Sequence, residues 1–240
     1  MNILITGGAS GLGEAITRLL ARNKEHTIYF TYTKSEANAK KIEAEFANTF
    51  SIKCDFANDI EVKLLIEKIN ELDPDVLINN AYAGGFLKSY FHKTSCDDFL
   101  VEFKSNVLPV IEITQAAIQK FRIKKQGKII TILTAALINV PPLGSAVYIA
   151  NKAYLEKLTK VWATENAKFN IVSNSVSPAL MQTNLTADID ERIIEQIKET
   201  HPLKRLLTVE EVAESVLFLV NASPHINGID IVLNGGITIK

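Results

Sequence analysis

The regular alternation of short apolar runs with longer amphipathic stretches constrains the fold of this chain more than any other sequence feature. Seven runs rich in Ile, Val and Leu predict strands at residues 2–6, 27–32, 51–54, 76–79, 128–133, 171–176 and 230–233. Nearly uninterrupted apolar strands are typical of a parallel sheet that is covered on both faces. Because strands separated by helices pair in parallel through right-handed crossovers, the sequence predicts an α/β fold, a doubly wound parallel sheet in a three-layer sandwich.

The same pattern runs from residue 1 to residue 240 and predicts a single domain, since no linker, repeat or low-complexity tract interrupts it. Helical periodicity marks residues 36–46, 60–72 and 209–220, and Thr208 with Glu211 forms a capping-box pattern before the last of these. One long excursion, residues 181–207, carries its own helical pattern at 189–200. We interpret it either as a substrate lid or as an incidental surface excursion.

Charge and cysteine content narrow the possible partners. The formal net charge of −1 gives no electrostatic reason to expect nucleic acid or an anionic membrane as partner. No apolar run is long enough to span a bilayer and no signal peptide is evident, so we expect a cytoplasmic protein. Cys54 and Cys96 are too few for a disulfide framework, and no CxxC or HExxH spacing suggests a metal. We therefore expect two reduced thiols and no metal.

A glycine-rich turn directly follows the first predicted strand and precedes a helical stretch at residues 14–22. It reads Thr6-Gly7-Gly8-Ala9-Ser10-Gly11-Leu12-Gly13. Glycines here permit a tight turn and let backbone N–H groups approach a pyrophosphate, which then lies at a helix N-terminus. The turn therefore predicts a dinucleotide site, and a phosphate-free structural turn is the alternative.

Tyr148 and Lys152 lie four residues apart in a helical run at residues 147–165. This spacing puts both side chains on one face of the helix, one turn apart. A phenol has an ordinary pKa of about 10, and a nearby ammonium lowers that pKa by stabilising the phenolate. We therefore predict that Tyr148 is a catalytic acid/base tuned by Lys152. The alternative is a packed tyrosine near a surface lysine.

The GxxxGxG turn after Thr6, the Asn79-Asn80-Ala81 segment and the Tyr148–Lys152 pair together resemble the short-chain dehydrogenase/reductase family along nearly the whole chain. The ending, from Leu203-Lys204-Arg205-Leu206 to Asn234-Gly235-Gly236, is similar to bacterial 3-oxoacyl carrier-protein reductases and their relatives. The resemblance implies a Rossmann-type fold, hydride transfer between a nicotinamide cofactor and a carbonyl or secondary alcohol, and a homo-oligomer. The residues that it implies for cofactor binding are Gly7, Ser10, Gly11, Leu12, Gly13, Thr33, Lys34, Ser35, Asp55, Phe56, Asn80, Ala81, Tyr82, Tyr148, Lys152, Pro178 and Thr183.

The sequence departs from the family pattern at three positions. Tyr82 and Ala179 replace glycines. The serine that holds the substrate oxygen is usually thirteen residues before the tyrosine, but that position is Ala135. Counting along the strand from Gly127 places Thr134 there instead, with one extra residue in the following loop, which is easier to accommodate than a slipped buried strand.

The implied catalytic group is thus Thr134, Tyr148, Lys152 and Asn106, the last holding a water that links the lysine to solvent. The end of the second strand favours NADP(H) over NAD(H). Tyr32 stands where NAD-preferring relatives carry aspartate, while Lys34 can pair with a 2′-phosphate and the Thr33 and Ser35 hydroxyls can donate to it.

Three functional hypotheses remain open. The first is a carbonyl reductase or alcohol dehydrogenase for a fairly apolar substrate. The second is a catalytically weak or inactive dinucleotide-binding protein with a sensing or scaffolding role, and the third is a related enzyme for dehydration or isomerisation. Hydrolysis is a poor rival, since no histidine accompanies a nucleophile elbow. Candidate substrate-pocket residues are Tyr82, Phe86, Leu137, Val140, Leu143, Leu180 and Met181.

Overall fold

Helices cover both faces of a seven-stranded parallel sheet in the computed structural model, which describes residues 1–85, 89–187 and 189–238. The strands are β1 (Asn2–Ile5), β2 (Thr27–Tyr32), β3 (Thr49–Lys53), β4 (Val76–Asn79), β5 (Gly127–Ile132), β6 (Ile171–Pro178) and β7 (Asp230–Leu233). The helices are α1 (Gly11–Ala21), α2 (Glu36–Glu45), α3 (Asp59–Leu72), α4 (Cys96–Asn106), α5 (Leu108–Lys124), α6 (Ala146–Asn166), α7 (Glu191–Thr200) and α8 (Val209–Asn221). The predicted α/β class, with its single doubly wound sheet, is confirmed.

Apolar side chains of the sheet alternate between two cores. On β1, Ile3 and Ile5 join one core while Leu4 joins the other, because successive strand side chains point to opposite faces. Helices α1, α2 and α8 complete the first core, and α3, α5 and α6 complete the second. Both faces of the sheet are therefore buried, which explains why strands such as β1 and β4 lack a polar side.

The strand order β3-β2-β1-β4-β5-β6-β7 reverses its winding direction between β1 and β4. The loops that leave these two strands are joined through the Thr6 hydroxyl, which accepts the backbone N–H groups of Asn80 and Ala81 at 2.9 and 3.0 Å. In open parallel sheets, the crevice outside the carboxyl ends of the strands at such a reversal binds ligands. The topology therefore positions the loops of residues 6–13 and 80–84 at one crevice.

Every predicted strand is present, with bounds that differ by at most two residues. Strand β6 runs on to Pro178 because Ser177 and Pro178 still pair with Val232 and Leu233 of β7. The capping box of α8 is confirmed, since the Glu211 N–H donates to the Thr208 hydroxyl at 3.3 Å and the Glu211 carboxylate accepts the Thr208 N–H at 2.9 Å. The bounds of α4 and α5 did not follow from the apolar pattern.

Within the three described ranges, no helix combines the length and the apolar character that crossing a membrane would require. The same residues contain no group of three or more His, Cys, Asp or Glu side chains that could hold a metal ion. Both cysteines are free, with Cys54 buried and Cys96 exposed.

Candidate active site

A cavity of about 1070 Å³ lies at the carboxyl edge of the sheet, where the segments that follow all seven strands meet. All the residues that the sequence predicts for cofactor binding line it: Gly7, Ser10, Gly11, Leu12, Gly13, Thr33, Lys34, Ser35, Asp55, Phe56, Asn80, Ala81, Tyr82, Tyr148, Lys152, Pro178 and Thr183. The predicted catalytic residue Thr134 also lines this cavity. Residues far apart in the sequence are thus brought together, although their individual roles stay predictions.

The glycine turn has the close packing that a phosphate cradle needs. Gly7 has a φ of +67°, and a Cβ on Gly13 would lie 2.0 Å from the Gly7 carbonyl oxygen. Ser10 precedes α1 without a side-chain capping bond, so the first turn of α1 faces the cavity with its backbone N–H groups uncapped by that hydroxyl. Such a helix N-terminus attracts an anion, and the turn therefore fits a dinucleotide pyrophosphate.

Two polar side chains that are not part of the glycine turn hydrogen-bond to its backbone. The Gly7 N–H donates to the Thr31 hydroxyl at 2.8 Å, and the Asn80 amide donates to the Gly7 carbonyl at 3.1 Å. Sequence reasoning missed Thr31, although a hydroxyl near the end of the next strand, β2, is a usable signal. Asn80 therefore shapes the cradle as well as lining the cavity.

At the end of β2, the polar side chains are not equally available to a ligand. Lys34 is exposed, and the Ser35 hydroxyl makes no capping bond to α2 although it precedes that helix. The Thr33 hydroxyl instead donates its proton to the Cys54 carbonyl at 3.1 Å. Donation from Thr33 to a 2′-phosphate would require this hydroxyl to turn away from the Cys54 carbonyl, and it stays a prediction.

Thr134 and Tyr148 both line the cavity and lie beside each other. Thr134 lies two residues beyond the end of β5, and its hydroxyl accepts the Ala136 N–H at 3.3 Å and is hydrogen-bonded to the Tyr148 phenol. Both side chains are only 7% exposed. The residue beside the phenol is therefore Thr134, which counting along the strand predicts. It is not Ala135, which the usual spacing to the tyrosine would give.

The pKa values of Tyr148 and Lys152 both shift because the side chains are buried. Burial raises the pKa of Tyr148 to about 12, which the hydrogen bond with Thr134 partly opposes. Burial lowers the pKa of Lys152 to about 8. The pKa of Tyr148 is thus raised rather than lowered, because loss of water dominates at the phenol while the Lys152 ammonium donates to the Ile132 carbonyl at 2.7 Å. The tuning of Tyr148 by Lys152 stays a prediction.

Asn106 lies outside the cavity lining, within α4. Its side-chain oxygen accepts the Ala83 N–H at 2.6 Å, and its amide nitrogen donates to the Glu102 carboxylate at 2.9 Å. The side chain therefore holds the loop after β4. Its predicted role in holding a water near Lys152 stays a prediction.

The cavity has an apolar part. Of the pocket residues expected from the sequence, Tyr82, Val140, Leu180 and Met181 line it, while Phe86 lies outside the described residues. Leu137 instead packs on the second core, and Leu143 is 75% exposed and outside the lining, so both expectations were wrong. These positions follow β5 in a loop whose path the apolar pattern does not specify.

Residues of the excursion at 181–207 also line the cavity. Ile193 and Ile197, one turn apart on α7, and Ile189 just before the helix all line it. Their four-residue spacing could have identified them from sequence. Ala179, where the family has glycine, is not among the residues with left-handed backbone, so its Cβ introduces no strain there.

Comparisons with known proteins agree with this geometry. The family model described as enoyl-(acyl carrier protein) reductase matches residues 7–238. The chain is 33% identical to the 3-oxoacyl-[acyl-carrier-protein] reductase FabG of Aquifex aeolicus, covering 97% of this chain and 95% of the relative. It is 30% identical to carbonyl reductase family member 4 of Xenopus laevis, over 98% and 97% of the two chains.

A solved structure described as ElxO with NADP bound superposes with a TM-score of 0.86 at 26% identity, over 98% of this chain and 97% of that chain. Because these relatives are named as reductases, a purely non-enzymatic role for this chain is not favoured. A nicotinamide dinucleotide site and a reacting phenol are thus expected in one crevice. The chain belongs to the short-chain dehydrogenase/reductase family of NAD(P)-dependent oxidoreductases.

Proposed function

We propose that the protein reduces the carbonyl group of a fairly apolar small molecule to an alcohol, with NADPH as its preferred cofactor. The observation that carries the proposal is the Tyr148 phenol, hydrogen-bonded to Thr134 in the cavity that the glycine turn also lines. Two relatives are named as reductases of a 3-oxoacyl group and of carbonyls, which supports the same reaction class.

The residues for holding the cofactor are divided along the cavity. The first turn of α1 would hold the pyrophosphate through backbone N–H groups, and Lys152 would donate to ribose hydroxyls. Lys34 would pair with a 2′-phosphate, with Ser35 as a further donor. The bound nicotinamide supplies the hydride for a substrate carbon or accepts it in the reverse reaction.

Proton transfer is assigned to Tyr148. A phenol with a pKa of about 12 keeps its proton at neutral pH, so Tyr148 is ready to act as a general acid in reduction. The Thr134 and Tyr148 hydroxyls would both donate to the carbonyl oxygen, which makes its carbon a better hydride acceptor. As charge develops on that oxygen, Tyr148 gives up its proton, and the Lys152 ammonium stabilises the phenolate left behind.

The substrate class follows from the apolar part of the cavity lining. Leu180, Met181, Ile193 and Ile197 present apolar side chains there. Apolar walls with a few placed polar groups favour a ligand with one carbonyl on an apolar body.

The decisive experiment compares the wild-type protein with Tyr148→Phe on a panel of ketones and aldehydes. We expect NADPH oxidation by the wild type, and a loss of turnover of about 10²–10⁴-fold in Tyr148→Phe, the range for general acid–base catalysis. NADPH binding, followed by fluorescence titration, should be nearly unchanged. Absence of Tyr148-dependent NADPH oxidation would overturn the proposal, and a product formed without net redox change would indicate dehydration or isomerisation instead.

We also propose that the protein is a homo-oligomer. Large apolar side chains on α4 and α6 are exposed in the single chain, among them Leu100 at 67% and Tyr154 at 46%. The edge-on contact of Phe103 with Tyr154 joins the two helices into one surface. Burial against a second copy would remove this surface from water. A monomer by light scattering at micromolar concentration would contradict the proposal.

A further inference from the structure

A second phenol, Tyr82, lies directly against the Tyr148–Lys152 pair. Tyr82 follows Asn79-Asn80-Ala81 at a position where the family pattern has glycine. Its ring centroid is 5.0 Å from that of Tyr148, with the planes at 74°. Rings at this separation and angle attract each other edge to face, so Tyr82 fixes the orientation of the Tyr148 ring.

The Lys152 ammonium lies over the Tyr82 ring. Its Nζ is 5.2 Å from the Tyr82 centroid and 5.9 Å from the Tyr148 centroid. A cation within about 6 Å of a ring centroid is attracted by the ring quadrupole, and more strongly when water is excluded. Lys152 is only 5% exposed and donates to a single backbone carbonyl among its described hydrogen bonds, so the two rings replace part of its hydration.

A buried carboxylate anchors Tyr82. The Tyr82 hydroxyl donates to Glu102 Oε2 at 3.4 Å, and the Asn106 amide donates to the same oxygen at 2.9 Å. Asn106 also accepts the N–H of Ala83, the residue next to Tyr82. The ring is thus held through its hydroxyl and through the adjoining backbone.

Tyr82 is unsuited to a role as a second acid or base. Burial, together with the Glu102 carboxylate, raises its pKa well above the ordinary value, so the phenol stays neutral at every physiological pH. What it offers the site is its ring face.

We propose that Tyr82 is a positioning residue whose ring keeps the Lys152 ammonium charged and orients Tyr148, with Glu102 and Asn106 holding Tyr82 in place. The consequence for catalysis rests on the proposed carbonyl reduction. The contact between Tyr82 and Lys152 does not depend on that proposed reaction, and it is tested separately.

The test is an NMR titration of the full-length protein labelled with ¹³C at the lysine Cε, with the Lys152 signal assigned by its absence in Lys152→Met. The wild-type signal should titrate at about 8. Tyr82→Leu keeps the site apolar but removes the ring quadrupole, and its Lys152 should titrate about one pH unit lower. Tyr82→Phe keeps the ring and should stay within about 0.3 unit of the wild type.

Tyr29→Leu is the matched control, because Tyr29 stacks on Phe50 and does not line the cavity. It should leave the Lys152 titration unchanged. If Tyr82→Leu does not fold, as judged by circular dichroism, Tyr82→Met provides the same comparison. A folded Leu or Met variant in which Lys152 titrates as in the wild type would overturn the proposal.

Kinetics add a second readout. If the enzyme is active, the alkaline limb of the pH profile of kcat/KM should shift to lower pH in Tyr82→Leu, together with the Lys152 titration. An alkaline limb at the wild-type pH would refute the proposed effect of Tyr82 on catalysis. A wild-type protein that oxidises no NADPH with any carbonyl would refute the proposed function, yet the lysine titration would still be readable. The two failures are therefore distinguishable.

Discussion

Replacing Gly13 by alanine has two opposing effects on the stability of the protein. Gly13 lies in α1 with ordinary helical backbone, where alanine is favoured over glycine by about 1 kcal/mol. Its Cβ, however, would lie 2.0 Å from the Gly7 carbonyl oxygen and 2.6 Å from the Asn80 amide nitrogen. The first distance must grow by at least 1.0 Å to reach the 3.0 Å below which real Cβ contacts are essentially never found.

Overpacking of this kind costs about 1–3 kcal/mol, and contact with backbone places Gly13→Ala at the upper end. After subtracting the gain in helix propensity, we expect a net loss of about 2 kcal/mol. For a chain of this size, that corresponds to a melting temperature lower by about 4–8 °C. Because the displaced Gly7 carbonyl belongs to the proposed phosphate cradle, NADPH affinity should fall by about tenfold or more.

Thermal unfolding by circular dichroism and NADPH titration by fluorescence measure the two effects. Gly236→Ala is the control, since Gly236 has a φ of +80° and its added Cβ would meet nothing within 4 Å. It should lose about 1–2 kcal/mol from backbone strain while NADPH affinity stays at the wild-type value. A Gly13→Ala protein as stable as the wild type, with unchanged NADPH affinity, would refute the steric reasoning.

Three further predictions concern Thr134, Lys152 and Lys34. Thr134→Val should lower kcat/KM for carbonyl reduction by about 10², whereas Thr134→Ser should retain most of it; equal rates for the Val variant and the wild type would exclude Thr134 as the oxygen donor. The folded pKa of Lys152, about 8, lies below its ordinary 10.5, so the unfolded chain binds more protons in this window and stability should rise with pH. Relative to Lys152→Met, urea unfolding of the wild type should show a gain of about 2 kcal/mol between pH 8 and 9.5, and a flat difference would contradict the shift. NADPH should bind more tightly than NADH and Lys34→Glu should reverse that order; identical titration curves for the two cofactors would refute this assignment.

Local periodicity determined most of the fold. Residues such as Ile3, Leu4 and Ile5 show no polar alternation, and only a strand buried on both faces satisfies such a run, so the parallel sheet follows from the sequence. The pairing of Tyr148 with Lys152 is similarly local, because a helix puts residues four apart on one face. The glycine turn was also predictable, since its glycines stand between an apolar strand and a helical stretch, where a turn of this kind holds a phosphate.

Tertiary structure decided what these residues meet. Thr134 contacts Tyr148 only because the end of β5 and the start of α6 lie at the same cavity. Leu137, in the same loop as Thr134, packs against the second core instead. The direction of the Tyr148 pKa depends on how much water the whole fold excludes and on where Lys152 points, and neither is encoded in a four-residue spacing. The placement of Tyr82 between Lys152 and Glu102 likewise needs β4, α4 and α6 together, because contacts between distant segments are set by packing rather than by local pattern.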